Sequence, residues 1–447
     1  MTFGAHAIVH AEVLEALSDL PDNSCDALLC DPPYGLRFMA KRWDYDVPPV
    51  DVWRQALRVL KPGAALLSFG GSRTFHRIAT GIEDAGFELR DCLCWLYAKG
   101  FPKSHNVSKA LDKAAGATRR VVGQRALTGN AAYVEGGHGF AEHGKGMRTT
   151  GTKLVDITTP ATDLAVMWDG YGTALKPCWE PIILARKPLE GTVAENVARW
   201  GVGALAIDAC RLKRDSDDVS GYSKTGSAHS HNVAMSGANY AREPKPDAGG
   251  RWPPNVGFDE VSAALLDATV GRRKSTLTGR ADPSVSHPHN GTKPSSPHLV
   301  YGDGLQTPKS RIYADDGGPS RFFFSAKVST KEREFGCETL PLRSAGEMTD
   351  REEESDGLSS PRAGAGRTAG ARNHHPTLKP IALARWLATM IRPPTPDATL
   401  LIPYCGAGSE IIGALQAGWP MVFGIEGEAE FVEIAEARIA AWSRKAA

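Results

Sequence analysis

Short apolar runs alternate with amphipathic segments along the first hundred residues of the chain. The apolar runs have the length of buried strands, and the segments between them place apolar residues at helical spacing. The predicted strands are residues 7–9, 27–30, 64–69 and 87–97, and the predicted helices are residues 12–20, 52–60 and 75–85. Strands and helices that alternate in this way are typical of a parallel α/β sheet.

The same alternation returns near the end of the chain. Pro380 opens a predicted helix that stops before Pro393 and Pro394, because proline is favoured in the first turn of a helix and cannot continue one. The elements predicted after it are strands at residues 398–402 and 421–425 and helices at residues 411–416 and 429–442. These elements would complete an α/β domain.

The middle of the chain has a different composition. Residues 104–176 are rich in Gly, Lys and His with little apolar periodicity, which predicts a long mobile excursion. Residues 211–320 are rich in Ser, Gly, Pro, His and Asn, with apolar clusters only around residues 261–270 and 299–305, and residues 329–373 are charged. Both stretches are predicted to be loosely structured. Strands predicted at residues 181–187 and 321–327 lie beside these stretches.

Composition narrows the class of protein only slightly. The chain has 447 residues, of which 42% are hydrophobic and 23% charged, as in a soluble globular enzyme. Neither a membrane-length apolar run nor a secretory pattern is present, so we expect a cytoplasmic protein without membrane contact. The eight cysteines lack ligand spacing, so no metal site is expected. The net charge of +1 leaves a polyanionic partner open.

The most informative motif follows the predicted strand 27–30. Asp31, Pro32, Pro33 and Tyr34 form a turn that presents a carboxylate, a rigid proline pair and an aromatic ring together. Two prolines remove two backbone donors, so the carbonyl oxygens of the turn remain available to accept hydrogen bonds. An exocyclic amine of a nucleobase would satisfy these acceptors. A Pro-rich turn capped by Asp is the alternative interpretation.

A second candidate site follows the predicted strand 398–402. The residues of its glycine turn are Tyr404, Cys405, Gly406, Gly408 and Ser409, and Glu426 lies about twenty residues on, at the end of the next strand. Glycines allow close approach of an adenosyl group, and a carboxylate at that place can bind ribose hydroxyls. A third glycine and a basic cluster for a pyrophosphate are missing, which favours S-adenosyl-L-methionine over a dinucleotide. Its methyl group must reach Asp31, so the two ends of the chain are expected to share one sheet.

These motifs, with residues 375–380 (HPTLKP), resemble those of a β-class DNA amino-methyltransferase of the phage or restriction-modification type. Further matches are residues 100–106, 174–184 and 320–323. The resemblance implies an α/β, Rossmann-like S-adenosylmethionine-dependent sheet in circularly permuted order with an irregular target-recognition insert. The implied domains are residues 1–189, the catalytic part of the methyltransferase domain; residues 190–373, the partly flexible insert; and residues 374–447, the cofactor-binding part.

The resemblance also implies roles for individual residues. Asp31, Pro32, Pro33 and Tyr34 would hold a target base that has been rotated out of the duplex. The cofactor would be held by Glu12, His375, Thr377, Lys379, Tyr404, Cys405, Gly406, Gly408, Ser409 and Glu426. Lys99, Lys103 and Arg321 are candidate DNA contacts, with a solvated surface as the alternative for the two lysines. Double-stranded DNA is the implied partner, and a cognate restriction endonuclease and a homodimer remain open.

Two positions depart from the family pattern. Ile402 and Glu12 stand where the family usually has Asp, so one acceptor is lost and one carboxylate is longer. One charge-assisted hydrogen bond is worth about 1.5 to 3 kcal/mol, which would weaken cofactor binding without abolishing it. The Asp-Pro-Pro-Tyr form favours N6 of adenine as the target. The alternatives are N4 of cytosine, a catalytically impaired DNA-binding or decoy protein, and a protein glutamine amide.

Overall fold

A computed structural model describes residues 4–36, 42–98, 100, 104–127, 153–212, 250–274, 316–326, 330–344 and 370–446. Its strands, in chain order, are β1 (Ala5–His10), β2 (Cys25–Cys30), β3 (Leu60–Phe69), β4 (Glu88–Leu96), β5 (Val121–Leu127), β6 (Lys153–Thr158), β7 (Trp179–Arg186), β8 (Val256–Asp259), β9 (Arg273–Lys274), β10 (Asp316–Gly317), β11 (Phe324–Ala326), β12 (Thr399–Pro403) and β13 (Met421–Glu426).

Nine of these strands form one sheet in the order β1-β13-β12-β2-β3-β7-β4-β8-β11. Neighbouring strands are parallel except where β7 pairs with β3 and with β4. β2 lies beside β12, although about 370 residues separate them along the chain. The expectation that the two ends of the chain share one sheet is therefore confirmed.

Helices cover both faces of the sheet. They are α1 (Val13–Asp19), α2 (Val50–Val59), α3 (Phe75–Asp84), α4 (Val107–Ala114), α5 (Asp163–Met167), α6 (Val193–Trp200), α7 (Glu260–Val270), α8 (Thr330–Glu334), α9 (Ile381–Met390), α10 (Ser409–Gln416) and α11 (Ala429–Ala446). Residues of α1, α2 and α3 pack in one apolar cluster, and residues of α9, α10 and α11 pack in another. Strands buried on both faces read as continuous apolar runs, which is why the sequence pattern located them well.

Residues 104–127 and 153–176 differ from the predicted excursion, because they contain α4, α5 and the antiparallel pair of β5 and β6. Asp112 of α4 is buried there and accepts hydrogen bonds from Thr162, the backbone amide of Ala161 and Arg119. This polar network, rather than an apolar stripe, holds α4 beside α5. A buried hydrogen-bonded carboxylate leaves no periodic signal in a sequence, so the regular structure went unpredicted.

The described parts of residues 190–373 also contain more order than their composition suggested. β8 and β11 extend the central sheet, and the predicted apolar cluster at residues 261–270 forms α7. The strand predicted at residues 321–327 begins only at Phe324, after a short 3-10 turn over Pro319–Phe322. The predicted apolar cluster at residues 299–305 lies outside the described residues. Among the described helices, none combines the length and apolar character that crossing a membrane requires.

Candidate active site at a strand junction

The carboxyl ends of β2 and β12 meet at the point where the order of strands reverses. From β12 the chain continues through α10 to β13 on one side, whereas β3 lies on the other side of β2. In open α/β sheets, ligands bind in the crevice at such a point. Asp31 follows β2 and the Gly406 turn follows β12, so both candidate motifs lie at this strand junction.

The Asp31 turn is held from below by Asp44. This carboxylate is buried, and its Oδ1 accepts hydrogen bonds from the backbone amides of Tyr34 (2.8 Å) and Gly35 (3.0 Å). The Tyr34 hydroxyl in turn donates to Oδ1 of Asp31 at 2.7 Å. Because Pro32 and Pro33 lack amide hydrogens, Asp44 caps the donors that the turn still has. The turn is thereby held in one shape with its carboxylate in place.

Lys379 reaches into this turn from the opposite end of the chain. Its Nζ lies 3.0 Å from Oδ2 of Asp31, 3.1 Å from Oε2 of Glu180 and 3.0 Å from the Tyr34 hydroxyl. An ammonium has three N–H donors, so these contacts satisfy all of them. The aliphatic part of the side chain is enclosed, and the residue is 8% exposed.

The charges around Lys379 set its protonation state and that of Tyr34. Burial alone would lower the pKa of the Lys379 ammonium, but the carboxylates of Asp31 and Glu180 outweigh burial and raise it. Burial and the same carboxylates raise the pKa of the Tyr34 hydroxyl well above its ordinary value. Both groups therefore stay protonated at neutral pH and act as hydrogen-bond donors to Asp31.

The Gly406 turn has a different construction, since backbone geometry defines it. Tyr404, Gly406 and Gly408 have φ angles of 59°, 50° and 75°, in the left-handed region. A Cβ at Gly406 would lie 2.6 Å from Nε2 of His375. Both the dihedral angle and the contact demand glycine there, which explains this glycine of the sequence motif.

Two carboxylates flank the turn at the ends of β13 and β1. Glu426 accepts hydrogen bonds from the amides of Gly406 (2.8 Å) and Glu428 (3.0 Å), and it is mostly buried. Burial raises its pKa against these two hydrogen bonds. Glu12 is exposed at the start of α1, and its Oε1 faces Gly427. A carboxylate oxygen accepts more than one hydrogen bond, so Glu426 retains acceptor capacity for hydroxyl groups.

The underside of the Gly406 turn rests on Arg438 of α11. The guanidinium of this residue is buried and donates to the carbonyl of Ala407 and to the hydroxyl of Ser409. The backbone amide of Cys405 donates to the carbonyl of Ile425, and that of Gly408 donates to the carbonyl of Cys405. Main-chain groups of the turn thus find partners within the protein, as buried polar groups must.

The imidazole ring of His375 lies against the Gly406 turn and is uncharged. Its Nδ1–H donates to the carbonyl of Thr377, and Arg333 donates to the carbonyl of His375 at 2.6 Å. Burial lowers the pKa of His375 to about 4. The imidazole is consequently uncharged at neutral pH, and its Nε2 faces Gly406. The hydroxyl-bearing Thr377 itself is exposed.

Glu410 is an acid of the junction that the sequence did not single out. It lies in the first turn of α10 and is 5% exposed. Burial and the nearby charge of Asp31 raise its pKa to about 7. In a sequence, an acid in the first turn of a helix indicates favourable interaction with the helix dipole, and that ordinary role hid its proximity to Asp31.

The three predicted DNA contacts are not among the described residues of this cluster. Lys99 and Lys103 lie outside the described residues. Arg321 lies before β11 and donates to the carbonyls of Gly317 and Gly318. The residues that sequence reasoning missed are Asp44, Glu180, Glu410 and Arg438. Asp44, Glu410 and Arg438 are single charged residues outside any motif. Glu180 lies within residues 174–184, which resemble the family, but the resemblance implied no role for it.

The chain matches no family model. Solved structures similar to it include M1.HpyAVI, with 10% identity over 97% of this chain and 98% of that chain and a TM-score of 0.35. Another is the cytosine-N4-specific PvuII DNA methyltransferase, with 9% identity over 99% and 93% of the chains and a TM-score of 0.38. A third is the TTHA0409 protein of Thermus thermophilus with S-adenosyl-L-methionine, with 12% identity over 98% and 95% and a TM-score of 0.34. These TM-scores are low, so the function is inferred from the residues of the strand junction.

The electrostatics of the junction distinguish between classes of ligand. Acidic residues outnumber basic ones among its described side chains: Asp31, Asp44, Glu180, Glu426 and Glu12 against Lys379, Arg333 and Arg438. An excess of negative charge disfavours a pyrophosphate and favours a cation. The residues present therefore fit a sulfonium nucleoside.

Proposed function

We propose that this chain is a DNA amino-methyltransferase that transfers a methyl group from S-adenosyl-L-methionine to N6 of adenine. The observation that carries the proposal is the placement of the Asp31 turn and the Gly406 turn at the carboxyl ends of the adjacent strands β2 and β12. An amine acceptor and an adenosine site at one junction are what such a transfer needs. The permuted order and the division at residues 189 and 373 belong to this proposal.

On the cofactor side, Glu426 and Glu12 would bind the ribose and adenine, and the backbone of the Gly406 turn would lie against the nucleoside. His375 and Thr377 would contact the methionine part. When bound, S-adenosyl-L-methionine supplies an electrophilic methyl group on a positively charged sulfur. Asp31 places negative charge at the junction, which favours that positive charge over a neutral thioether.

On the base side, the carboxylate of Asp31 and the carbonyl of Pro32 accept the two hydrogens of the exocyclic amine. The lone pair of this amine is delocalised into the ring, which makes the nitrogen a poor nucleophile. Hydrogen bonds to fixed acceptors favour a tetrahedral nitrogen and make its lone pair available. Tyr34 stacks on the extruded ring while its hydroxyl holds the carboxylate of Asp31.

The two principal alternative functions are methylation of a different base and DNA binding without catalysis. N4 of cytosine carries the same kind of amine, so the same acceptors would serve it. A decoy without catalysis is the alternative in which Ile402 matters, because its fully buried side chain packs in the apolar cluster with α9 and α10 and supplies no acceptor.

The test is expression in a host that lacks DNA methylation, followed by digestion of the DNA to nucleosides and mass spectrometry. We expect N6-methyladenine from the wild type and none from Asp31→Ala. Asp51→Ala is the matched control, since Asp51 is exposed on α2 and pairs with the exposed Arg54, and it should methylate normally. N4-methylcytosine would establish the cytosine alternative, and absence of both products from soluble protein would contradict the proposal.

A further inference from the structure

The Lys379 ammonium is shared between two carboxylates, and only one of them has a role in the proposed reaction. Asp31 follows β2, whereas Glu180 is the second residue of β7 and lies opposite Trp95 of β4. Because β7 is antiparallel to β3, its first residues reach the edge of the sheet where Asp31 lies. Glu180 therefore belongs to the junction without belonging to either motif.

Target binding brings a further hydrogen-bond donor to Asp31. Its Oδ1 already accepts from Tyr34 and its Oδ2 from Lys379. Each oxygen can accept a further hydrogen bond, but the positive charge 3.0 Å from Oδ2 weakens that oxygen as an acceptor, so the amine of the base competes with the ammonium for the same carboxylate. Lys379 is enclosed, which prevents water from replacing a lost carboxylate, and a buried ammonium without a counter-ion is strongly unfavourable.

We propose that Glu180 is a positioning residue of the base pocket, which retains the Lys379 ammonium while Asp31 turns an acceptor to the amine of the target base. The inference rests on the proposed function and deepens it. Entry of the base becomes an exchange of partners on Asp31, and the charge of Lys379 stays compensated throughout. The contact of 3.1 Å between Lys379 and Glu180 is present together with the contact between Lys379 and Asp31, so the exchange requires no new ion pair.

The loss of Glu180 would affect base capture and leave the cofactor side unchanged. With one carboxylate remaining, the ammonium holds Asp31 more firmly and competes better with the amine. Glu426 and the Gly406 turn make their contacts on the other side of the junction. A defect in Glu180 should therefore appear in methyl transfer and not in affinity for S-adenosyl-L-methionine.

The experiment compares Glu180→Gln and Glu180→Asp with the wild type. The substrate is plasmid DNA from a host without methylation, and radiolabelled methyl transfer is measured under single-turnover conditions beside calorimetric titration of S-adenosyl-L-methionine. We expect Glu180→Gln, which keeps an acceptor oxygen but removes the charge that compensates the ammonium, to slow transfer by about 10- to 100-fold. Glu180→Asp keeps the charge and should recover part of the rate. Cofactor affinity should stay within about threefold in both.

Glu88→Gln is the matched control. Glu88 is the first residue of β4 and binds Arg186 at the far end of β7, so the same substitution there should leave transfer unchanged. A second test combines Glu180→Gln with Lys379→Met. Since Glu180 acts through Lys379, the double variant should be no slower than the slower single variant.

Three results would overturn the inference. Transfer by Glu180→Gln at the wild-type rate would remove the role of Glu180 while leaving the proposed function intact. Multiplication of the two single effects in the double variant would show that Glu180 acts independently of Lys379. A wild-type protein that transfers no methyl group to either base would defeat the proposed function and this inference with it.

Discussion

The two sides of the strand junction are held in shape by different kinds of interaction. On the β2 side, side-chain charges define the site, because Lys379 bridges Asp31 and Glu180. On the β12 side, backbone geometry defines it, because Gly406 requires a left-handed φ and close contact with His375. A charged network responds to isosteric changes that preserve shape, whereas a tight turn responds to a single added carbon.

The largest expected effect comes from breaking the charged side. Lys379→Met leaves the carboxylates of Asp31 and Glu180 without their shared ammonium, so we expect a loss of about 3 to 5 kcal/mol in free energy of unfolding. Urea denaturation measures it. Arg54→Met is the control, because its ion pair with Asp51 is exposed and should contribute less than about 1 kcal/mol. Equal losses in the two variants would show that the network contributes nothing special.

The Gly406 turn should be disrupted by the addition of one methyl group. Gly406→Ala meets Nε2 of His375 at 2.6 Å, whereas Gly116→Ala has a similar φ of 63° and no atom within 4 Å. The strain of a positive φ, of order 1 kcal/mol, is common to both. We expect Gly406→Ala alone to weaken S-adenosyl-L-methionine binding by at least about tenfold. Equal affinity in the two variants would remove the turn from the cofactor site.

Glu410 lies between the two sides and links the junction to pH. The pKa of Glu410 is about 7 in the folded protein and 4.5 ordinarily. Between pH 4.5 and 7 the folded state therefore binds more protons than the unfolded state. The stability of the wild type consequently falls as pH rises through this range. Glu410→Gln should gain stability relative to the wild type as pH rises from 4.5 to 7, by about 1 kcal/mol per pH unit. The lowered pKa of His375 has the opposite dependence, but it is common to both proteins and cancels. A pH-independent difference in unfolding free energy would contradict this assignment.

The smallest effect sharpens the role of Ile402. Its side chain is fully buried in the apolar cluster, so Ile402→Val should cost about 0.5 to 1.5 kcal/mol of unfolding free energy. Affinity for S-adenosyl-L-methionine should not change, because the side chain contributes packing. A calorimetric titration that shows weakened binding would instead place Ile402 in contact with the cofactor.

The sequence predicted the elements that carry buried strands and glycine turns. The apolar run before Asp31 became β2, and the predicted strand before Tyr404 became β12, because burial on both faces leaves a continuous signal. The pairing of β2 with β12 followed from the chemistry of a shared site.

The unpredicted features depend on contacts between distant parts of the chain. Lys379 was expected to hold the cofactor, and its contacts with Asp31, Glu180 and Tyr34 join separate parts of the chain. Arg438 supports the Gly406 turn from a helix whose sequence shows only amphipathic spacing. Such contacts are long-range, and no local pattern encodes them.

We infer that the Gly406 turn binds the cofactor and that Asp31 acts in methyl transfer. One pair of variants, measured side by side, tests this separation most directly. Asp31→Asn and Gly406→Ala are titrated with S-adenosyl-L-methionine by calorimetry, and the same samples are tested for methyl transfer to unmethylated DNA. We predict that Asp31→Asn binds within about tenfold of the wild type but transfers no methyl group, whereas Gly406→Ala binds at least about tenfold more weakly. Loss of binding in Asp31→Asn, or wild-type binding in Gly406→Ala, would contradict the account.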